Sequence, residues 1–361
     1  MTELFRNADV LVRLCGGFSQ EQCVVTFASF TNDQRVDRPG FAEDFLAGEG
    51  IDAIHVITRD NRWYDYPAIG KVLEAIRHSA VGYARIATYG SSMGGFAALH
   101  FAGHVGAQTA IAISPQFSAV RQQVPFETRW KRERRKLKFP AVGSSPVASQ
   151  YVFYDPAHPI DARHVALFSA QSPVIPVPVR HGGHPVGSVL AECGLLKSAI
   201  RECLSGKLDV PALLTNLRQT RRNSSQFLWA LADALSDAHL PTKLRLLELS
   251  VAALRTDHSL RRLAMAHFRL GDVDRAEEFL REALATPTLD IRCWIDLIDL
   301  LNVSTRYMEA AEILAMLKQR YPGNPLVRER LTRQAFRRLG LQRPYFAAKA
   351  LWLGNRRPAS P

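Results

Sequence analysis

The sequence predicts a doubly wound, mostly parallel α/β sheet followed by an all-α helical repeat domain. Two observations predict it. From residue 8 to about 205, short β-rich apolar runs alternate with helical stretches, the pattern of parallel strands joined by crossover helices. Beyond about 205 the strand pattern stops, and apolar and small residues recur with a 34-residue period. The expected domains are therefore 8–205, with 115–148 as a lid-like insertion, and 206–361.

The strand candidates are Val10–Leu14, Cys23–Ala28, Ala53–Ile57, Ala84–Thr88, Thr109–Ile113, Tyr151–Tyr154 and Val174–Val179. They lack strict alternation, which suits a sheet covered on both faces. Helices are expected at about 41–48, 67–79, 94–104, 161–171 and 186–204. The segment 115–148 breaks this rhythm. It carries Pro115, Pro125, Pro140 and Pro146 around a basic run, Arg129–Lys138, and is too long for an ordinary connector. In the last third, Leu260, Leu263, Ala264, Gly271, Ala276, Leu280, Ala283 and Pro287 are answered by Trp294, Leu297, Ile298, Thr305, Ala310, Leu314 and Leu317, with Pro322 one position late. This spacing resembles the tetratricopeptide repeat. Thr305 departs from the glycine that turns the first unit. The flanks 224–255 and 325–353 fit loosely, as capping units do.

The most informative stretch is Gly90-Ser91-Ser92-Met93-Gly94, a G-x-S-x-G pattern between the apolar run 83–89 and a helical run of small residues. As a bare pattern it also fits a plain Gly/Ser turn. Its strand–turn–helix setting is that of a nucleophile elbow, which exposes a hydroxyl at a helix N-terminus where backbone N–H groups meet developing negative charge. Ser92 is then the nucleophile and the Met93 N–H the first oxyanion donor. Tyr89 through Leu99 resembles the elbow of α/β-hydrolase serine esterases. More narrowly, the chain resembles bacterial α/β-hydrolase-like proteins with an upstream Asn-x-Trp-Tyr and a downstream Gly-His, here Asn61-Arg62-Trp63-Tyr64 and Gly183-His184.

A serine nucleophile needs a base, and the base needs an acid to hold its tautomer. In α/β hydrolases the chain order is Ser, acid, His. The loop after the last strand offers His181 and His184; His184 is preferred, because Gly182 and Gly183 free the backbone beside it. The acid is expected after the strand ending at Tyr154. Asp161 is preferred over Asp155, which instead suits holding the loop, and Asp161 also suits a helix N-cap. His164 reads as structural. The second oxyanion donor is expected from Ser29 or Phe30, although no His-Gly-Gly-Gly run stands there. Trp63 and Tyr64 are candidates to wall a substrate pocket or to anchor their loop. His100 and His104 are spaced as a helical pair, but no third ligand accompanies them, so no metal is expected. No cofactor is expected either.

The net charge of +12 leaves room for an anionic partner, but no nucleic-acid-binding motif accompanies it, so nucleic acid is not expected. No apolar run is long enough for a transmembrane helix, and the N-terminus lacks the pattern of a signal peptide. Five scattered cysteines without C-x-x-C suit reduced thiols and a cytoplasmic setting. Three functions fit these features. The leading one is a serine hydrolase of an ester or thioester, acting on a small molecule, glycan or lipid. The second is an acyltransferase to a glycan or lipid hydroxyl. The third is an inactive scaffold whose repeats bind a protein partner.

Overall fold

In the computed structural model the described residues are 1–18, 21–31, 33–135, 137, 142–286 and 290–339. They divide into two compact units, one of Met1–Ala234 and a second that begins at Leu235. The division falls later than the boundary expected at 205/206, because two further helices belong with the sheet.

The first unit is built on one eight-stranded sheet. Its strands are β1 (Thr2–Arg6), β2 (Val10–Cys15), β3 (Gln22–Phe27), β4 (Asp52–Thr58), β5 (Arg85–Ser91), β6 (Thr109–Ile113), β7 (Ser149–Tyr154) and β8 (Ile175–Pro178). They lie in the order β1-β2-β4-β3-β5-β6-β7-β8. From β4 to β8 all pairs are parallel, and β1 and β2 join antiparallel at one edge. Strand β1 has no counterpart among the sequence candidates. It is a short edge strand whose Thr2, Glu3 and Arg6 are exposed, so its sequence carries no core pattern. At the other edge, β8 tolerates Pro176 and Pro178 because one side of it needs no ladder. Strand β4 is buried along its whole length and β3 from Cys23 on; the polar members Thr26 and His55 bond one another, Oγ1 to Nδ1, at 2.6 Å.

The crossovers are α1 (Glu43–Gly48), α2 (Ile69–Ala80), α3 (Met93–His100) and, beyond the insertion with its short α4 (Lys131–Arg134), α5 (Pro159–Gln171). Helix α3 is buried at every position from Met93 to Leu99. It packs on β3, β5 and β6 and fixes the centre of the core. The helix expected over 186–204 is two, α6 (Gly187–Glu192) and α7 (Leu196–Leu204). They part at Gly194, whose φ of +72° ends the first in the left-handed region. Helices α8 (Val210–Thr220) and α9 (Ser225–Ala234) complete this unit.

The second unit is helical: α10 (Leu240–Ala253), α11 (Asp257–Arg269), α12 (Val273–Ala285), α13 (Ile291–Val303), α14 (Tyr307–Arg320) and α15 (Pro325–Arg338). The repeat positions form its core. Leu260, Leu263, Ala264, Ala276, Leu280, Ala283, Leu297, Ile298, Ala310, Leu314 and Leu317 are all buried. Gly271 turns the first pair with φ +82°, and Thr305 makes the equivalent turn at φ +61°. Pro287 and residues beyond 339 lie outside the described residues. No helix among the described residues is long and apolar enough to cross a membrane.

Candidate active site

The glycines of the elbow have specific work. A Cβ on Gly90 would lie 2.2 Å from the Gly94 carbonyl oxygen, and one on Gly94 would lie 2.2 Å from that of Phe27. Only hydrogen fits at these two positions, so the turn is pressed against itself and against the end of β3. Ser92 between them takes φ +53° and ψ −117°. Six of the eight non-glycine residues with positive φ among the described residues gather on this side of the sheet: Trp63, Tyr64, Ser92, Ser114, Trp130 and His181. Such conformations cost about 1–3 kcal/mol each and persist only where surrounding structure over-determines them.

Ser92 Oγ lies 3.0 Å from His184 Nε2, and His184 Nδ1 lies 2.6 Å from Asp161 Oδ2. Asp161 accepts only, so Nδ1 carries the proton and Nε2 is left to accept from Ser92. Asp161 stands in the first turn of α5 and is completely buried. Its backbone N–H donates to His158 Nδ1 at 3.2 Å, so the expected N-cap role belongs to His158. Its second oxygen lies 2.9 Å from Arg129 Nη2. Burial alone pushes the Asp161 carboxyl up; His184, His158 and Arg129 outweigh burial and hold it far below the usual carboxylate range.

Asp155 does different work. Its Oδ1 accepts from the backbone N–H of His181 at 3.0 Å and of Ala157 at 2.8 Å, and its Oδ2 from that of Gly183 at 2.9 Å. The two donors from His181 and Gly183 tie the histidine loop to the end of β7, and the third closes the turn that follows Asp155. His181 turns toward Phe227, with ring centroids 6.4 Å apart, and does not join Ser92. From the other side, Gln226 of α9 donates to the carbonyls of Gly182 at 2.6 Å and Pro185 at 2.8 Å.

Met93 is the first residue of α3, where a helix leaves backbone donors without intrahelical partners. Ser29 and Phe30 follow β3 beside the elbow. The Ser29 hydroxyl donates to the Ser91 carbonyl at 2.9 Å, which ties the two loops together. Tyr64 is buried in the core, edge-on to Phe27, and its hydroxyl donates to the Ala28 carbonyl at 2.8 Å. That is an anchoring position rather than a pocket wall. Trp63 is also buried, but it packs at 5.2 Å on Trp130, which meets the ring of His184 at 6.0 Å and that of Phe30 at 6.2 Å. This aromatic group stands beside the base.

Three features of the insertion carry no signal in the local sequence. Gln116 is completely buried and reaches Ser92. Glu127, also buried, accepts from His164 Nε2 at 3.0 Å and pairs with Arg129 at 2.8 Å. Burial raises the Glu127 carboxyl, but His164 and Arg129 overcome this and bring it down to about 2. Arg134 is spent on the carbonyls of Ala119 and Val124. Part of the basic run therefore faces inward; Lys136 and Lys138 lie outside the described residues. His100 and His104 each bond a carbonyl of this insertion, those of Phe117 and Gly143, both at 2.8 Å. Among the described residues no group of side chains is placed to hold a metal ion.

No curated protein matches the chain. Solved structures similar to it include the capsule O-acetyltransferase of Neisseria meningitidis serogroup A, at 12% identity over 49% of this chain and 85% of that one, with a TM-score of 0.37. An α/β hydrolase enzyme from a Medee basin deep-sea metagenome library is 15% identical over 60% of this chain and 97% of that one, with a TM-score of 0.37. An α/β serine hydrolase without lid from Xanthomonas campestris is 16% identical over 58% and 88%, with a TM-score of 0.30. The solved structures similar to this chain thus include α/β hydrolases, and residues 257–300, within the helical repeat region, match the family model for the tetratricopeptide repeat.

Proposed function

We propose that the chain is a serine hydrolase that cleaves an ester or thioester through an acyl-enzyme. The observation that carries this reading is the unbroken hydrogen-bonded chain from Ser92 Oγ through His184 to the buried Asp161. Ser92 Oγ attacks the substrate carbonyl carbon while its proton passes to His184 Nε2. Asp161 holds the imidazole by its Nδ1–H and stabilises the imidazolium that forms. The Met93 N–H and a backbone N–H of Ser29 or Phe30 receive the oxyanion. His184 then protonates the leaving group, and the intermediate collapses to the acyl-enzyme. Water, deprotonated by the same His184, releases the acid and restores Ser92.

Two features support a working site rather than a remnant. The strained residues gather around Ser92, and each loop that carries a member of the chain is tied down by a partner from a different element. The test is covalent labelling by a fluorophosphonate probe. The expected result is a label on the wild type, located on Ser92 and absent from Ser92→Ala. A wild type that stays unlabelled, or a Ser92→Ala variant labelled equally, overturns the reading.

A further inference from the structure

Gln116 stands three residues past the end of β6 and has no exposed surface. Its Nε2 donates to Ser92 Oγ at 3.1 Å and to the Ser114 carbonyl at 3.2 Å, while its Oε1 accepts from the Trp63 indole N–H at 3.3 Å. The two outer partners settle which end of the amide faces which way. A carbonyl only accepts, and an indole N–H only donates. A flipped amide would set oxygen against oxygen at Ser114 and N–H against N–H at Trp63. The nitrogen therefore faces Ser92, and the contact between Oγ and Oε1, at 3.5 Å, is the longer one.

This orientation has a consequence at Oγ, which has one proton and two lone pairs. The proton points to His184 Nε2, 3.0 Å away, since toward the Gln116 nitrogen it would meet another N–H. One lone pair accepts from Gln116, and the other stays free to attack. The same N–H lies where negative charge gathers on Oγ as its proton leaves, and again when Oγ is expelled during deacylation. A hydrogen bond to a charged oxygen is roughly twice as strong as one to a neutral oxygen.

We propose that Gln116 is a further catalytic residue, resting on the hydrolase reading above. Its side-chain amide directs the Ser92 proton to His184 and stabilises charge on Oγ in both half-reactions. In the first, the Oγ–H bond breaks, the proton passes to His184 Nε2, and the Oγ–carbon bond forms. In the second, the Oγ–carbon bond breaks and Oγ takes its proton back from His184. Gln116 exchanges no proton in either step.

The test measures the rate of fluorophosphonate labelling against pH, with the melting temperature, for the full chain and for Gln116→Met, Gln116→Glu and Trp63→Phe. Gln116→Met is expected to label about 10- to 100-fold more slowly. Trp63→Phe leaves the amide but frees its oxygen, and is expected to lose about 3-fold. Gln116→Glu is the discriminating variant. A carboxylate accepts but does not donate, whereas its protonated form donates, so its rate relative to wild type is expected to recover as pH falls. A merely structural role leaves that ratio flat. Should Gln116→Met not fold, the other two variants decide. A flat ratio for Gln116→Glu, with Trp63→Phe at the wild-type rate, overturns the proposal. An unlabelled wild type instead overturns the hydrolase reading itself, so the two failures are distinguishable.

Discussion

Asp161 and Asp155 stand six positions apart, and both are buried, yet their surroundings assign them different work. Asp161 meets the imidazole of His184, and Asp155 meets only backbone N–H groups. The Asp161→Asn variant is expected to fall roughly 10³- to 10⁴-fold in kcat against an activated ester, with KM little changed, since the amide leaves the wrong tautomer on His184. Steady-state kinetics checks this; a loss under about 10-fold would sink the assignment of Asp161 as the acid. Glu127 makes a prediction about stability. Its carboxyl is held at about 2, from an ordinary 4.5, so the unfolded chain protonates first as pH falls. The stability it contributes is complete above about pH 4.5 and is lost as pH drops toward 2. It amounts to about 3 kcal/mol at most. His164, kept neutral by burial against the pull of Glu127, adds a decline of the same sign below about pH 6.5. Urea denaturation across this range should show a shallower acid decline for Glu127→Gln than for wild type.

At the scale of elements, the hydrolase-like elbow and the helical turns use the same left-handed backbone region for different ends. At Ser92 the strain sets a hydroxyl in place, and Gly90 and Gly94 give it room. At Thr305 nothing comparable is gained. A β-branched residue stands at φ +61° where the preceding unit, at Gly271, uses glycine. The Thr305→Gly variant is expected to stabilise the helical unit by about 1 kcal/mol. Chemical denaturation followed in the full chain measures it, and a destabilised variant would mean that the threonine side chain holds the α13–α14 turn. The elements also show which patterns are readable. The strand that precedes Ser92 and the helix that follows it are legible because both periodicity and turn chemistry point to them. Strand β1 is not, because its two half-buried apolar residues, Leu4 and Phe5, are neighbours and make no alternating pattern. The break at Gly194 within 186–204 was available as a glycine, but a lone glycine also stands inside helices.

At the scale of the molecule, the two units each have their own core, and the first extends to Ala234. Specific bonds hold α9 and the residue before it to α6 and the histidine loop. Glu192 accepts from Ser224 Oγ at 2.7 Å and from the Gln226 backbone N–H at 3.0 Å, and Gln226 in turn grips the histidine loop. A chain ending at Ala234 is therefore expected to keep Ser92 labelling within about 3-fold of the full chain, since a unit with its own core folds alone. A chain ending at residue 205 loses the Gln226 clamp and is expected to label at least about 10-fold more slowly. Equal labelling of the two truncations would show that α8 and α9 do not support the loop.

The sequence by itself determined the sheet-then-helix order, the strand–turn–helix at Ser92, the 34-residue helical period and the loops that carry His184 and the two aspartates. These are local properties: periodicity, turn glycines and spacing act over a few residues and need no partner from afar. Only the tertiary structure decided which aspartate meets His184, what Asp155 does, and that Gln116 and Arg129 of the insertion reach Ser92 and Asp161. It also turned Tyr64 into the core and drew α8 and α9 into the first unit. The physical reason is common to all of these. Each is a contact between side chains or loops far apart in the chain, set by how helices and loops close over the strand ends. No window of sequence around Gln116 contains the serine, the tryptophan and the carbonyl that hold its amide.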